Sequence, residues 1–155
     1  MTTTTNTPTP PTETTDAHGP AEHVLVVVEP TTGGDGPLQL AHDVVARGGR
    51  ASVLMLITSR VDDDIRAYAA SEDLSFAAAE ADAIARLGEY CTSQIGAAVS
   101  TNVARFGWST VDLRRFVADD VTTIAVPEQL FEGRRLRQLA AQVDRPLVTV
   151  PALAA

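Results

Sequence analysis

The stretch that most constrains this chain is an unbroken aliphatic run, Val24-Leu25-Val26-Val27-Val28, which passes through Glu29-Pro30 into the turn Thr31-Thr32-Gly33-Gly34-Asp35-Gly36. β-branched side chains favour extended backbone, and a run that does not alternate with polar residues must be covered on both faces. A parallel sheet with helices on either side provides that cover. The glycine-rich turn then feeds a helical pattern, so the stretch reads as the first βα unit of such a sheet. In open α/β sheets ligands bind beyond the carboxyl ends of the strands. A site is therefore expected at Glu29 and the turn after it.

The rest of the chain repeats the alternation. Leu38, Ala41, Val44 and Val45 fall at helical spacing behind Pro37, with Gly48-Gly49 as a stop, which predicts a helix from Pro37 to Arg47. Ala51 to Ile57 is a second apolar strand. Ser59 to Asp73 is polar and acidic and reads as a solvated connection or a helix start. Its Asp62-Asp63-Asp64 run is a poor cation site, because adjacent side chains diverge and no glycine-spaced loop surrounds them. Ala77, Ala81, Ile84, Gly88, Cys91 and Ile95 mark one stripe of a long helix, widened by Phe76 and Leu87, with Glu72 and Asp73 as acids in its first turn.

Ala98 to Arg105 alternates, as an edge strand does. Phe106-Gly107-Trp108-Ser109-Thr110 leads into a helix over Val111 to Asp119, in which Leu113, Phe116 and Val117 pack together with Val121; Ser109 or Thr110 is the cap and Trp108 a packing residue. Thr122 to Val126 is the fourth strand. After Pro127 to Gly133 a helix carries Leu136, Leu139, Ala140 and Val143 on one face, and Leu147 to Val150, between Pro146 and Pro151, is the last strand.

Residues 1–21 are almost all Thr, Pro and small polar residues and are expected to form a disordered arm, since they offer nothing to bury against the entropy of ordering. Residues 22–151 are then one α/β domain, and 152–155 a short C-terminal tail. A net charge of −8 argues against nucleic acid as a partner. The apolar runs are too short to span a bilayer and no signal-peptide pattern is present, so a cytoplasmic protein is expected. Cys91 is the single cysteine; it lies on an apolar stripe away from His18, His23 and His42, and reads as a buried packing residue.

Five strands alternating with helices, the opening His-Val-Leu-Val-Val-Val-Glu, the Gly107-Trp108 turn and the closing Arg145-Pro146-Leu147-Val148-Thr149-Val150-Pro151 together resemble the universal stress protein family over Glu22 to Pro151. The resemblance implies a doubly wound, five-stranded parallel sheet of order 3-2-1-4-5, Rossmann-like and of the adenine nucleotide alpha hydrolase type. It also implies a homodimer paired through the last strand, Leu147, Val148, Thr149 and Val150. In members that bind ATP, an aspartate ends the first strand and a glycine-rich loop after the fourth wraps the phosphates. Here Glu29 stands in the aspartate's place, and Pro127-Glu128-Gln129-Leu130-Phe131-Glu132-Gly133 has one glycine and two acids. Phosphate cradling needs accessible backbone N–H groups and little nearby negative charge.

The leading expectation is a non-catalytic stress-response or adaptor module that works as a dimer, takes an unidentified protein partner, and carries a degenerate nucleotide site with at most weak ATP or AMP binding. The alternative is a sensor of adenine nucleotide or a small anion. Its site residues are Glu29, Thr31, Gly33, Gly34 and Gly107, with Arg134, Arg135 and Arg137 nearby; without a ligand those arginines are simply a solvated face. An enzyme is the third class, disfavoured because no nucleophile elbow, Walker-type loop or metal-ligand pair appears.

Overall fold

The computed structural model describes residues 21–30, 35–105, 113–130 and 133–153, without the side chain at 135. Residues 1–20 of the N-terminal arm, Thr31, Gly33, Gly34, Gly107 and Trp108 lie outside the described residues.

Among the described residues five strands form one all-parallel sheet: β1 His23–Val28, β2 Arg50–Ile57, β3 Ser100–Arg105, β4 Thr123–Pro127 and β5 Leu147–Val150, in the order β3-β2-β1-β4-β5. This is the expected doubly wound sheet. Every residue of β1 is buried, as a central strand between two helical layers requires. Register sets which face each residue serves: Leu25 stands beside Ser52 on one side and Ile124 on the other, and Val26 beside Val53 and Ala125.

Among the described residues four α-helices cover the sheet: α1 Asp35–Ala46, α2 Ser59–Ser71, α3 Phe76–Ile95 and α4 Arg134–Gln142. On one face Val24, Val26, Val28, Val53 and Met55 pack against Leu38, Ala41 and Val44 of α1 and Cys91 and Ile95 of α3. On the other, Leu25, Val27, Leu54, Leu56, Ile124 and Val126 pack against Leu113 and against Leu139 of α4. A smaller cluster joins Ile57 to Val61, Ile65 and Ala69 of α2 and Ala79 of α3. Burying each such side chain is worth about 1.5–3 kcal/mol.

Of the two readings of Ser59 to Asp73, the helix start holds and the solvated connection does not: Thr58 caps a full helix, its Oγ1 accepting from the Val61 N–H, and Val61, Ile65 and Ala69 recur every fourth residue to bury one side. Two expectations are corrected. In α3 the buried stripe runs through Ala79, Cys91 and Ile95, whereas Ala77 and Ala81 face solvent; Glu72 and Asp73 precede the helix, which is capped instead by Ser75. The predicted helix Val111–Asp119 is, over its described residues, a 3₁₀ turn at Leu113–Arg115 followed by irregular chain. Acids at a helix C-terminus oppose its dipole, and here Arg145 fixes that segment by donating to the carbonyls of Asp119 and Val121.

No described helix is long and apolar enough to cross a membrane.

Candidate functional site

The sheet order reverses between β1 and β4, and their carboxyl ends diverge there into separate helical layers. Glu29 leaves β1 at this point. It is 2% exposed, and Thr58 at the end of β2 donates its hydroxyl to Glu29 Oε1 at 3.1 Å. Thr58 therefore does two jobs: it starts α2 and holds the acid. Sequence reading found Glu29 but missed Thr58, although a threonine between an apolar strand and a helix is a recognisable cap.

On the other side of the switch point, β4 runs into Glu128. The Glu128 N–H donates to the Val150 carbonyl at 2.9 Å, continuing the β4–β5 ladder, and the Leu130 N–H donates to Pro127 O at 3.2 Å, closing a turn. Both amides are thus engaged within the fold. Gly133 then begins α4 at φ 60°, a left-handed value that suits glycine, with no side chain capping the helix. Arg134 and Arg137 are exposed on α4.

Beside this edge lies an apolar cavity of about 240 Å³ between α2 and α3, floored by Pro30 and Ile57 and walled by Val61, Ile65 and Leu87. A polar network closes its rim. Tyr68 Oη donates to Asp82 Oδ2 at 2.9 Å, Arg86 Nε lies 3.1 Å from the same oxygen, and the Arg86 guanidinium sits 5.8 Å from the Tyr68 ring centre. The hydrogen bond to the Asp82 carboxylate pushes the Tyr68 phenol up from its ordinary value. With Asp64 also lining the cavity, its rim holds two carboxylates against one guanidinium.

Among the residues predicted for the site, Glu29 is placed at the switch point, and the glycines and Thr31 are not described. Of the aspartate run, Asp62 pairs with Arg105 at 2.7 Å. Among the described residues no group of three or more His, Cys, Asp or Glu side chains could hold a metal ion. Cys91 is fully buried, and burial pushes its thiol up to about 11, which keeps it protonated and unreactive.

A doubly wound parallel sheet whose strand order reverses between β1 and β4 defines a Rossmann-like α/β architecture. Within that class the fold is that of the universal stress proteins. The universal stress protein from Archaeoglobus fulgidus superposes with a TM-score of 0.50 at 17% identity, covering 83% of this chain and 93% of that one. The hypothetical protein PH0823 gives 0.53 at 13% identity, covering 86% and 99%. The hypothetical protein MJ0577 gives 0.50 at 12%, covering 88% and 100%. No protein-family model matches the sequence, and no curated protein matches it.

Proposed function

We propose that the chain is a cytoplasmic, universal-stress-protein-like module that acts in stress physiology through protein contacts, and that its β1/β4 edge does not bind ATP tightly. The observation that carries this is the engagement of two amides in the first half of the loop after β4. A phosphate cradle works through backbone N–H groups that point into empty space, and the N–H groups of Glu128 and Leu130 are both committed to carbonyls. Three further features agree. Glu29 is enclosed and braced by Thr58 rather than open to a ribose hydroxyl. Glu128 brings negative charge to the place where phosphates would lie. The adjoining cavity, at about 240 Å³, falls below the range of about 300–1,000 Å³ usual for ligand pockets and has a mainly acidic rim.

The second reading, a sensor of adenine nucleotide or of a small anion, draws on the same edge: the predicted turn of Thr31, Gly33 and Gly34, with Gly107 and the exposed Arg134 and Arg137. A thermal-shift series with ATP, AMP, cyclic AMP, FMN and magnesium separates the two. A ligand present at 100 times its Kd stabilises a fold by about 2.7 kcal/mol, a rise of several degrees for a domain of this size. No shift with ATP is expected at millimolar concentration. A clear shift with ATP overturns the leading reading in favour of the sensor.

A further inference from the structure

The opposite edge of the sheet, at the amino ends of the strands, carries an arrangement that the β1/β4 edge does not use. His23 opens β1 and is 8% exposed; Ser52, on the neighbouring strand, is 9% exposed. Ser52 Oγ lies 2.9 Å from His23 Nε2, and the other ring nitrogen, Nδ1, lies 3.2 Å from Asp120 Oδ1. That second approach meets the distance of an ion pair but is off the line of a hydrogen bond, so the buried Nδ1 has no aligned partner. Arg50, which is His23's register partner on β2, bonds the other Asp120 oxygen. We propose that Ser52, His23 and Asp120 form a hydrolytic triad, with Ser52 as a nucleophile toward small carboxylic esters.

First, the tautomer is decided by electrostatics. If Nδ1 were unprotonated, its lone pair would face the Asp120 carboxylate, a repulsive contact in a buried place. With the proton on Nδ1, that N–H faces the carboxylate, and Nε2 is left as an acceptor aimed at the Ser52 hydroxyl, which is the state a general base needs. Arg50 keeps Asp120 ionised, its hydrogen bond holding that carboxyl below the ordinary range. The misalignment at Nδ1 does not count against the role, because such bonds are often loose before substrate binds, and Asp120 is half exposed and can turn.

Second, the imidazole is surplus to the fold. The start of β1 is already tied by its backbone: the His23 N–H donates to Thr122 Oγ1 at 3.0 Å, and His23 O accepts from the Thr122 N–H at 2.8 Å and from the Thr122 hydroxyl at 3.1 Å. Third, the pair faces space. His23 and Ser52 line a cavity of about 350 Å³ with Val45, Val99, Phe116 and Asn102. The apolar walls suit a short acyl chain, and Asn102 brings an amide N–H donor to the same cavity.

The chemistry balances with water as the only co-reactant. The Ser52 oxygen forms a bond to the acyl carbon and the carbon–alkoxide bond breaks, while the proton taken by Nε2 passes to the departing alkoxide. Water, losing a proton to the same nitrogen, then cleaves the acyl-serine to a carboxylic acid and free Ser52.

The test is reaction of the folded full-length protein with a fluorescent fluorophosphonate, in which serine displaces fluoride, read by intact mass and peptide mapping. One adduct on Ser52 is expected, absent in Ser52→Ala. Its rate is expected to fall at least tenfold in Asp120→Asn. Melting curves establish that each variant is folded. Butyrate-ester hydrolysis should be lost in step with the adduct. No adduct on the folded wild type, or one that persists in Ser52→Ala, overturns the proposal. A nucleotide-induced thermal shift bears only on the other edge of the sheet and leaves this test unaffected.

Discussion

At the scale of single residues, burial decides what two groups do. Cys91 is wholly enclosed, and its thiol titrates at about 11 against an ordinary 9.0. The unfolded chain therefore releases this proton first as pH rises. The contribution is fully present below pH 9 and is lost as pH climbs from 9 through about 11, amounting at most to about 2–3 kcal/mol. Urea unfolding at pH 8.5 and 10.5 should show a smaller alkaline loss in Cys91→Ala than in the wild type; equal losses would mean that the thiol is not the titrating group. Thr58 is the second case. Thr58→Val removes both the hydroxyl donated to buried Glu29 and the oxygen that caps α2. A cost of about 1–3 kcal/mol is expected in denaturant titration. Thr58→Ser, which keeps the oxygen, should recover most of it.

At the scale of elements, the start of α1 is set by a close approach. A Cβ built on Gly36 would stand 2.2 Å from the Pro151 carbonyl oxygen and 3.0 Å from a Val150 methyl. Backbone cannot yield there cheaply, so Gly36→Ala should cost about 1–3 kcal/mol by overpacking, measured as a lower denaturation midpoint. An unchanged midpoint would show that the helix start can slide. The strands were legible in the sequence because their apolar runs are continuous or, in β3, alternate. The helices were less so. In α2 an apolar stripe only one residue wide, Val61-Ile65-Ala69, sits among acids and arginines, and composition outweighs periodicity. In α3 alanines occur on every side of the first turns, so spacing alone does not choose Ala79 over Ala77; the larger Cys91 and Ile95 fix the second half correctly. At the ligand edge, Glu29 was readable as the end of β1. The grouping of His23, Ser52 and Asp120 was not, because residues 29 positions apart meet only through the β1–β2 register and the turn before β4, and no local motif records that pairing.

At the scale of the whole molecule, the two sheet edges differ in what they offer another chain. β3 ends one side with exposed Ser100, Asn102 and Arg105, polar and charged residues that discourage strand pairing. β5 ends the other with Val148 39% exposed, and Leu153 just beyond it is 54% exposed. An apolar edge with unpaired backbone groups is a template for a second strand, so the expected assembly is a homodimer joined β5 to β5. Two copies each carrying −8 repel, and screening by salt should favour the pair. Val148→Lys puts a charge where the strands would meet. On a sizing column the wild type should elute as a dimer, more completely at 0.5 M than at 0.05 M salt, and Val148→Lys as a monomer with an unchanged melting profile at low concentration. An elution volume that ignores the substitution would assign the dimer contact to another surface, and a wild type that elutes as a monomer at both salts would leave β5 a free edge.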